Sequence, residues 1–144
     1  MCQNCATLKT FSSDCIFEDG SDGTGSSSGT SSVTDTTYAD LLATSGTNAT
    51  VSVGGSYVGE LETSGDSDWI AVNLVAGQTY TISLSGYGST PVSDTYLRLF
   101  APGSQDRATG TQVAYDDDGG AGYYSSLVYT ATTTGTFYID AASY

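Results

Sequence analysis

Three successive aspartates, Asp116, Asp117 and Asp118, followed by Gly119 and Gly120, are the residues of this chain best suited to chemistry. Neighbouring carboxylates repel one another unless a positive charge sits among them. Calcium fits the role: it takes six to eight oxygen ligands from carboxylates, carbonyls and water, and a glycine-punctuated loop wraps it without steric conflict. A solvated acidic turn is the competing reading. The choice depends on whether other acids converge on the same place, and Asp66, Asp68 and Asp94 are the candidates, with Asp140 as a further one.

The chain contains no histidine. That removes the commonest general base, the Ser-His-Asp and Cys-His nucleophile pairs, and every histidine-containing zinc site. Paired carboxylates can hydrolyse glycosides, but only beside a sugar-sized cleft, usually with aromatic platforms. Tyr87, Tyr96, Tyr115, Tyr123 and Tyr124 are candidate ligand contacts near the same acids, although tyrosine is also common in strands and their margins. The expectation is a non-catalytic protein. Cys2 and Cys5 form a Cys-x-x-Cys pair with Cys15 nearby. A zinc site there lacks a good fourth ligand, so a local disulfide with the odd thiol free or bridging to another chain is expected in a secreted protein.

Composition bounds the partners. The 144 residues carry 16 acids against Lys9, Arg98 and Arg107, a formal net charge of −13. Such a chain has no basic surface for phosphates, which excludes nucleic acid and disfavours anionic membranes. No window approaches eighteen apolar residues, and the first twenty lack the charged and apolar regions of a Sec signal. The expectation is a soluble protein whose lack of a Sec signal does not imply a cytoplasmic address, since some bacterial export routes read a signal at the far C-terminus of a longer polypeptide.

The elements that must position these acids follow from pattern. Residues 20–37 are almost entirely Gly, Ser, Thr and Asp, the composition of a flexible linker that cannot bury enough apolar surface to order itself. They separate a cysteine-bearing head, residues 1–19, from a folded domain, residues 38–144. Residues 38–44 read equally as a strand or a helical turn. Thereafter eight short segments rich in Tyr, Val, Ile, Leu and Thr, punctuated by glycine turns, predict strands at 51–53, 56–61, 68–74, 78–85, 95–101, 111–115, 123–130 and 136–142.

The expected fold is an all-β, antiparallel β-sandwich. Alternation turns Ile70, Val72, Leu74, Tyr80, Ile82, Leu84, Leu97, Leu99, Val113, Leu127, Tyr129, Phe137, Ile139 and Ala141 inward. Thr81, Ser83, Arg98, Tyr138 and Asp140 fall on half-solvated faces. Trp69 also falls outside by parity, and packing under a loop explains it better than ligand stacking. If consecutive strands run antiparallel, then Asp66, Asp68, Asp94 and Asp116–Asp118 all reach one end of the sandwich. Asp140 comes near the same rim. Asp116 and Asp118 are the expected direct calcium ligands, because the Asp117 side chain alternates away from them. Asn48-Ala-Thr50 is an acceptor sequon on a loop, and the linker hydroxyls are candidate O-glycan sites.

In order along the chain stand Gly65-Asp-Ser-Asp-Trp69 with Ile70-Ala-Val-Asn-Leu74, Ala76-Gly-Gln-Thr-Tyr80, Asp94-Thr-Tyr-Leu-Arg-Leu99, Gly110 to Asp118, and Gly135-Thr-Phe-Tyr-Ile139. This succession resembles the bacterial pre-peptidase C-terminal (PPC) domain. Met1-Cys-Gln-Asn-Cys5 with Asp14-Cys15-Ile-Phe-Glu18 is similar to the N-terminus of serralysin-like, type I-secreted proteins. The resemblance implies a jelly-roll-like β-sandwich that is a secreted, calcium-binding accessory module of a metallopeptidase or other exported enzyme, serving attachment to an extracellular protein or polysaccharide, or secretion. No His-Glu-x-x-His motif is present, so peptidase activity does not carry over. The resemblance also implies one more strand after Tyr144, whose lack would leave an edge open. Two readings follow: a fragment, or a structural subunit of an extracellular filament or surface assembly in which another copy supplies the strand by complementation.

Overall fold

The computed structural model describes residues 5–12, 32–34, 41–61, 65–87 and 91–144; in the first two segments the description covers the backbone and the Leu8 side chain. Among the described residues ten strands form two five-stranded sheets. The strands are β1 (Cys5–Ser12), β2 (Ser32–Thr34), β3 (Thr50–Val51), β4 (Ser56–Glu60), β5 (Ser67–Leu74), β6 (Thr79–Gly86), β7 (Thr95–Phe100), β8 (Gln112–Asp116), β9 (Ser125–Thr130) and β10 (Gly135–Ser143). One sheet runs β2-β4-β1-β6-β9 and the other β3-β5-β10-β7-β8. The eight expected strands are all present, to within two residues at most ends.

Period-two patterning builds the core. On β6 the buried residues are Tyr80, Ile82 and Leu84, and on β5 and β10 they include Ile70, Val72, Leu74, Phe137, Ile139 and Ala141. Leu97, Leu99 and Leu127 complete the contact between the sheets, and Val113 and Tyr129 pack against it partly buried. At about 25 cal/mol per Å² of apolar surface, this two-faced burial is the main force holding the sheets together.

Two short segments from the expected head (1–19) and linker (20–37) lie in the sheets. Cys5–Ser12, from the head, forms β1, paired on one side with β4 and on the other with β6. Ser32–Thr34 of the supposed linker adds a parallel edge strand to β4. Leu8, 2% exposed, belongs to the core. Local pattern did not reveal β1 because its pairings lie about fifty to eighty residues away in sequence. Nor does β10 leave an open edge where one was expected: it is central, flanked by β5 and β7.

The outward face of the second sheet carries a small second core. Trp69 is fully buried and stacks between Phe100 (centroids 4.8 Å apart) and Tyr138 (5.2 Å). Beside it lies Asp140, also fully buried, with Arg98 and Arg107 on its carboxylate. Arg107 belongs to the 101–110 connection after β7. A fully buried Trp69 on a face that alternation leaves half-solvated is thereby accounted for as packing.

Candidate functional site

The upper end of the sandwich is fixed by a polar clasp between the sheets. Thr95, at the start of β7, and Ser125, at the start of β9, are both buried. The Ser125 amide donates to Thr95 Oγ1 (2.8 Å), the Ser125 hydroxyl donates to the Thr95 carbonyl (2.7 Å), and the Thr95 amide donates to the Tyr123 carbonyl (3.0 Å). Buried polar groups matched in this way hold their positions, because separating them leaves each unsatisfied at about 1–3 kcal/mol. Asp94 directly precedes Thr95, so the clasp sets it beside the loop that follows β8.

That loop is shaped from within by Asp116. Its Oδ2 accepts from the Gly119 amide (2.8 Å) and the Ser126 amide (2.7 Å), bracketing the turn. A Cβ on Gly119 would stand 2.5 Å from Asp116 Oδ1, and one on Gly120 would stand 2.6 Å from the Tyr124 carbonyl oxygen. The glycines are required here by close approach. With Asp116 turned back on the loop, Asp117 and Asp118 are left to face Asp94.

Among the described residues, Asp94, Asp117 and Asp118 each offer a carboxylate oxygen, and these atoms lie within 4.8 Å of one another. Asp94 and Asp117 are half-buried and Asp118 is exposed. Partial desolvation, and then the charges of Asp118, Asp94 and Asp116, push the Asp117 carboxyl above its ordinary value. Asp94 Oδ1 is itself buried, with no hydrogen-bond partner among the described residues. Two oxygens bound to one calcium at about 2.4 Å can be at most about 4.8 Å apart, so this oxygen-only trio has the spacing that a single hard cation requires.

The expected ligand set is therefore redistributed. Asp116 is a loop bracket. Asp68 is buried, and the parity that turns Ile70 inward turns it inward too, where it shares a lining with Leu8, Tyr57 and Ile70. Asp66 accepts a hydrogen bond from the Ser67 amide (2.7 Å), and Asp66 and Asp68 lie at the strand beyond β10 from β7 and outside the trio. Asp140, placed near the rim by strand direction, is engaged in the buried ion pairs and is no member either. Direction brought these acids toward one end of the sandwich; the lateral order of the strands decides which of them lie together.

The tyrosines divide similarly. Tyr96 stacks on Tyr115 (6.1 Å between centroids) and on Tyr144 (6.3 Å), and the Arg98 guanidinium carbon lies 4.3 Å over the Tyr96 ring. Tyr115 and Tyr144 are exposed, so these rings form a row across β8, β7 and the end of β10. Tyr144 was missed because it lies just past a strand. Tyr87 and Tyr123 are exposed outside this stack, and Tyr124 is half-buried beneath the loop. Asn48 lies exposed before β3. Cys2 and Cys15 fall outside the described residues, and of Cys5 only the backbone, in β1, is described.

No family model, no curated protein and no solved structure matches the chain.

Proposed function

We propose that this protein is a non-catalytic, calcium-stabilised binding module of a secreted bacterial protein, attaching to an extracellular protein or polysaccharide. The observation that carries the reading is the convergence of Asp94 with Asp117 and Asp118, from two different loops, into one oxygen-only group. A divalent cation among them reverses the sign of their mutual interaction, which without it is a repulsion of about 0.8 kcal/mol per pair at 5 Å in bulk water and more where solvent is reduced. Calcium suits dispersed loop carboxylates better than magnesium, which demands a tight octahedron, or zinc, which favours nitrogen and sulfur. The absence of histidine from the sequence supports a binding role over acid–base catalysis.

The Tyr115–Tyr96–Tyr144 row is the attachment surface in this reading, since exposed flat rings offer stacking area to a sugar ring or an extended polymer at small entropic cost. The resemblance to PPC domains supports the secreted context and the accessory role to a metallopeptidase. Calorimetry tests the metal: calcium at a hundredfold excess over its dissociation constant should add about 2.7 kcal/mol, and Asp94→Asn should abolish the gain. A melting temperature identical in calcium and in chelator would remove calcium from the proposal.

A further inference from the structure

We propose that the outer edge of β9 is a docking strand for a second copy of this chain, whose own β9 pairs with it antiparallel across a two-fold axis at Tyr129. Among the described residues the two sheets end in four edge strands, β2 and β9 in one and β3 and β8 in the other. Three of these are poor templates for further pairing. β2 has three residues and β3 has two, while β8 shifts register against β7 at Leu99/Phe100 and runs into Asp116, Asp117 and Asp118. β9 differs on every count. Its six residues, Ser125–Thr130, hold an unbroken register on β6 and include no charge, glycine or proline. Folded proteins blunt long, neutral edges of high β-propensity, because each is a template for another strand.

The hydrogen-bonding groups of that edge set the register. Ala131 donates its amide to the Gln78 carbonyl and accepts from the Gly77 amide, so the odd-numbered residues of β9 turn toward β6. By alternation Ser126, Val128 and Thr130 present their amides and carbonyls to the other side. Asp116 occupies the Ser126 amide at 2.7 Å and closes the edge there. Val128 and Thr130 remain, with Tyr129 midway between them. An antiparallel copy with its axis at Tyr129 sets each Val128 opposite the other copy's Thr130, and each such pair exchanges both of its main-chain bonds. The side chains agree with this register. Val128, 69% exposed, meets a β-branched threonine on the outer face, half-buried Tyr129 meets its own image on the inner face, and buried Leu127 meets buried Ala131, which continues the core across the axis.

Charge points to a copy of this chain as the occupant. The chain carries a net charge of −13, yet Gly119 to Ile139 contains no Asp, Glu, Lys or Arg, so β9 and its flanks are a neutral strip on an acidic molecule. Two copies approach here without like charges meeting. The antiparallel arrangement also keeps the acidic rims apart. Ser126, which Asp116 brackets, lies three residues to one side of the axis and its image three to the other, a separation of roughly 20 Å against a screening length of about 8 Å at physiological salt. Each copy offers Val128 and Thr130 and receives the same pair, the self-complementarity that a two-fold contact requires. One strand pair buries less than about 1,000 Å², which fits weak and reversible association.

The test uses the full chain in chelator, which keeps the outcome separate from the metal reading, and in reductant, which prevents disulfides between copies. Sedimentation equilibrium in about 0.15 M salt, from about 10 μM to about 1 mM protein, should show the mass rising from 14.8 kDa toward that of a dimer and no further. Val128→Pro removes an outward amide that β6 does not use, so the edge strand tolerates it, and the mass should stay at the monomer value throughout. In the wild type, exchange of the Val128 and Thr130 amides should slow at least about twofold at the highest concentration, a readout independent of how well the proline variant folds. The proposal is overturned by a wild type that stays monomeric at the highest concentration, by a folded Val128→Pro that associates equally, by mass growing past the dimer, or by exchange at Val128 and Thr130 that does not respond to concentration.

Discussion

Asp140 and Asp117 are two aspartates of one domain in opposite circumstances. Asp140 is fully buried yet saturated: Arg98 donates at 3.0 Å, Arg107 donates through Nε (3.1 Å) and Nη2 (3.3 Å), and the Ser67 hydroxyl donates as well. Asp117 is half-buried among Asp94, Asp116 and Asp118, and its carboxyl is pushed above the ordinary range. The chain has three cationic residues for 16 acids, and two of the three converge on Asp140. Protein charge thus neutralises the outer face of the second sheet, and the proposal assigns a solution cation to the rim.

The sharpest break of this contrast is at the paired site. Asp140→Ala leaves two guanidiniums and the Ser67 hydroxyl without their shared acceptor and should cost about 3 kcal/mol, toward the lower end for a broken buried pair because both arginines are partly exposed. Urea unfolding measures it, and a loss below about 1 kcal/mol would place Asp140 with surface ion pairs. At the rim the same kind of change should act in the other direction. In chelator, Asp94→Asn should remove a repelling charge and raise the melting temperature slightly; in calcium it should lose the gain of about 2.7 kcal/mol expected of the wild type at a hundredfold excess over the dissociation constant. Equal destabilisation by Asp94→Asn in both buffers would erase the distinction between the two regions.

Much of this was legible in the sequence, and the illegible part has physical causes. Alternation identified the buried faces of β5, β6, β7 and β10 because both sheets bury one side of each strand, and strand direction brought the acids to one end. Alternation also turned Asp68 inward with Ile70, a consequence overshadowed by its nearness to that end. Asp140 was misjudged because a strand pattern carries no information about what covers its outer face, here Arg107 of the 101–110 connection. β1 was invisible because Cys5–Ser12 carries no sustained apolar alternation and its partners are distant in sequence. The Thr95–Ser125 clasp gives no signal either: a hydroxyl at an inward position looks like an interruption until its partner is known.

Acidity offers a finer test of the rim. Because the folded-state value for Asp117 is raised, the folded protein holds its proton more tightly than the unfolded chain does. In chelator, that contribution to stability is present below the ordinary value of 3.8 and is lost as pH rises through the raised value. Asp106 behaves in the opposite sense: hydrogen bonds from the Thr109 amide and hydroxyl lower its value, so its contribution is present above 3.8 and fades only as pH falls below it. The two windows do not overlap. Denaturant midpoints in chelator should therefore show a component that weakens as pH rises above 3.8. Asp117→Asn should remove that component, and calcium should suppress it by holding the carboxylate ionised. An unchanged profile in Asp117→Asn would locate the effect elsewhere.

The smallest expected effect on stability lies where the paired region meets the surface. Arg98 serves both sides of that boundary, donating to Asp140 and lying over Tyr96, which stacks in turn on exposed Tyr115. Tyr115→Ala removes one exposed ring from a cross-strand stack and should cost less than about 1 kcal/mol, because the ring is largely solvated already. If the row is the attachment surface proposed above, its effect on attachment should be much larger, at least about tenfold, because stacking area is what the row would offer a polymer. Sedimentation with insoluble polysaccharides, repeated in chelator, separates the two quantities. Retained binding in Tyr115→Ala together with retained stability would leave the row as strand packing alone, and the attachment surface would have to be sought away from the arginine-paired face.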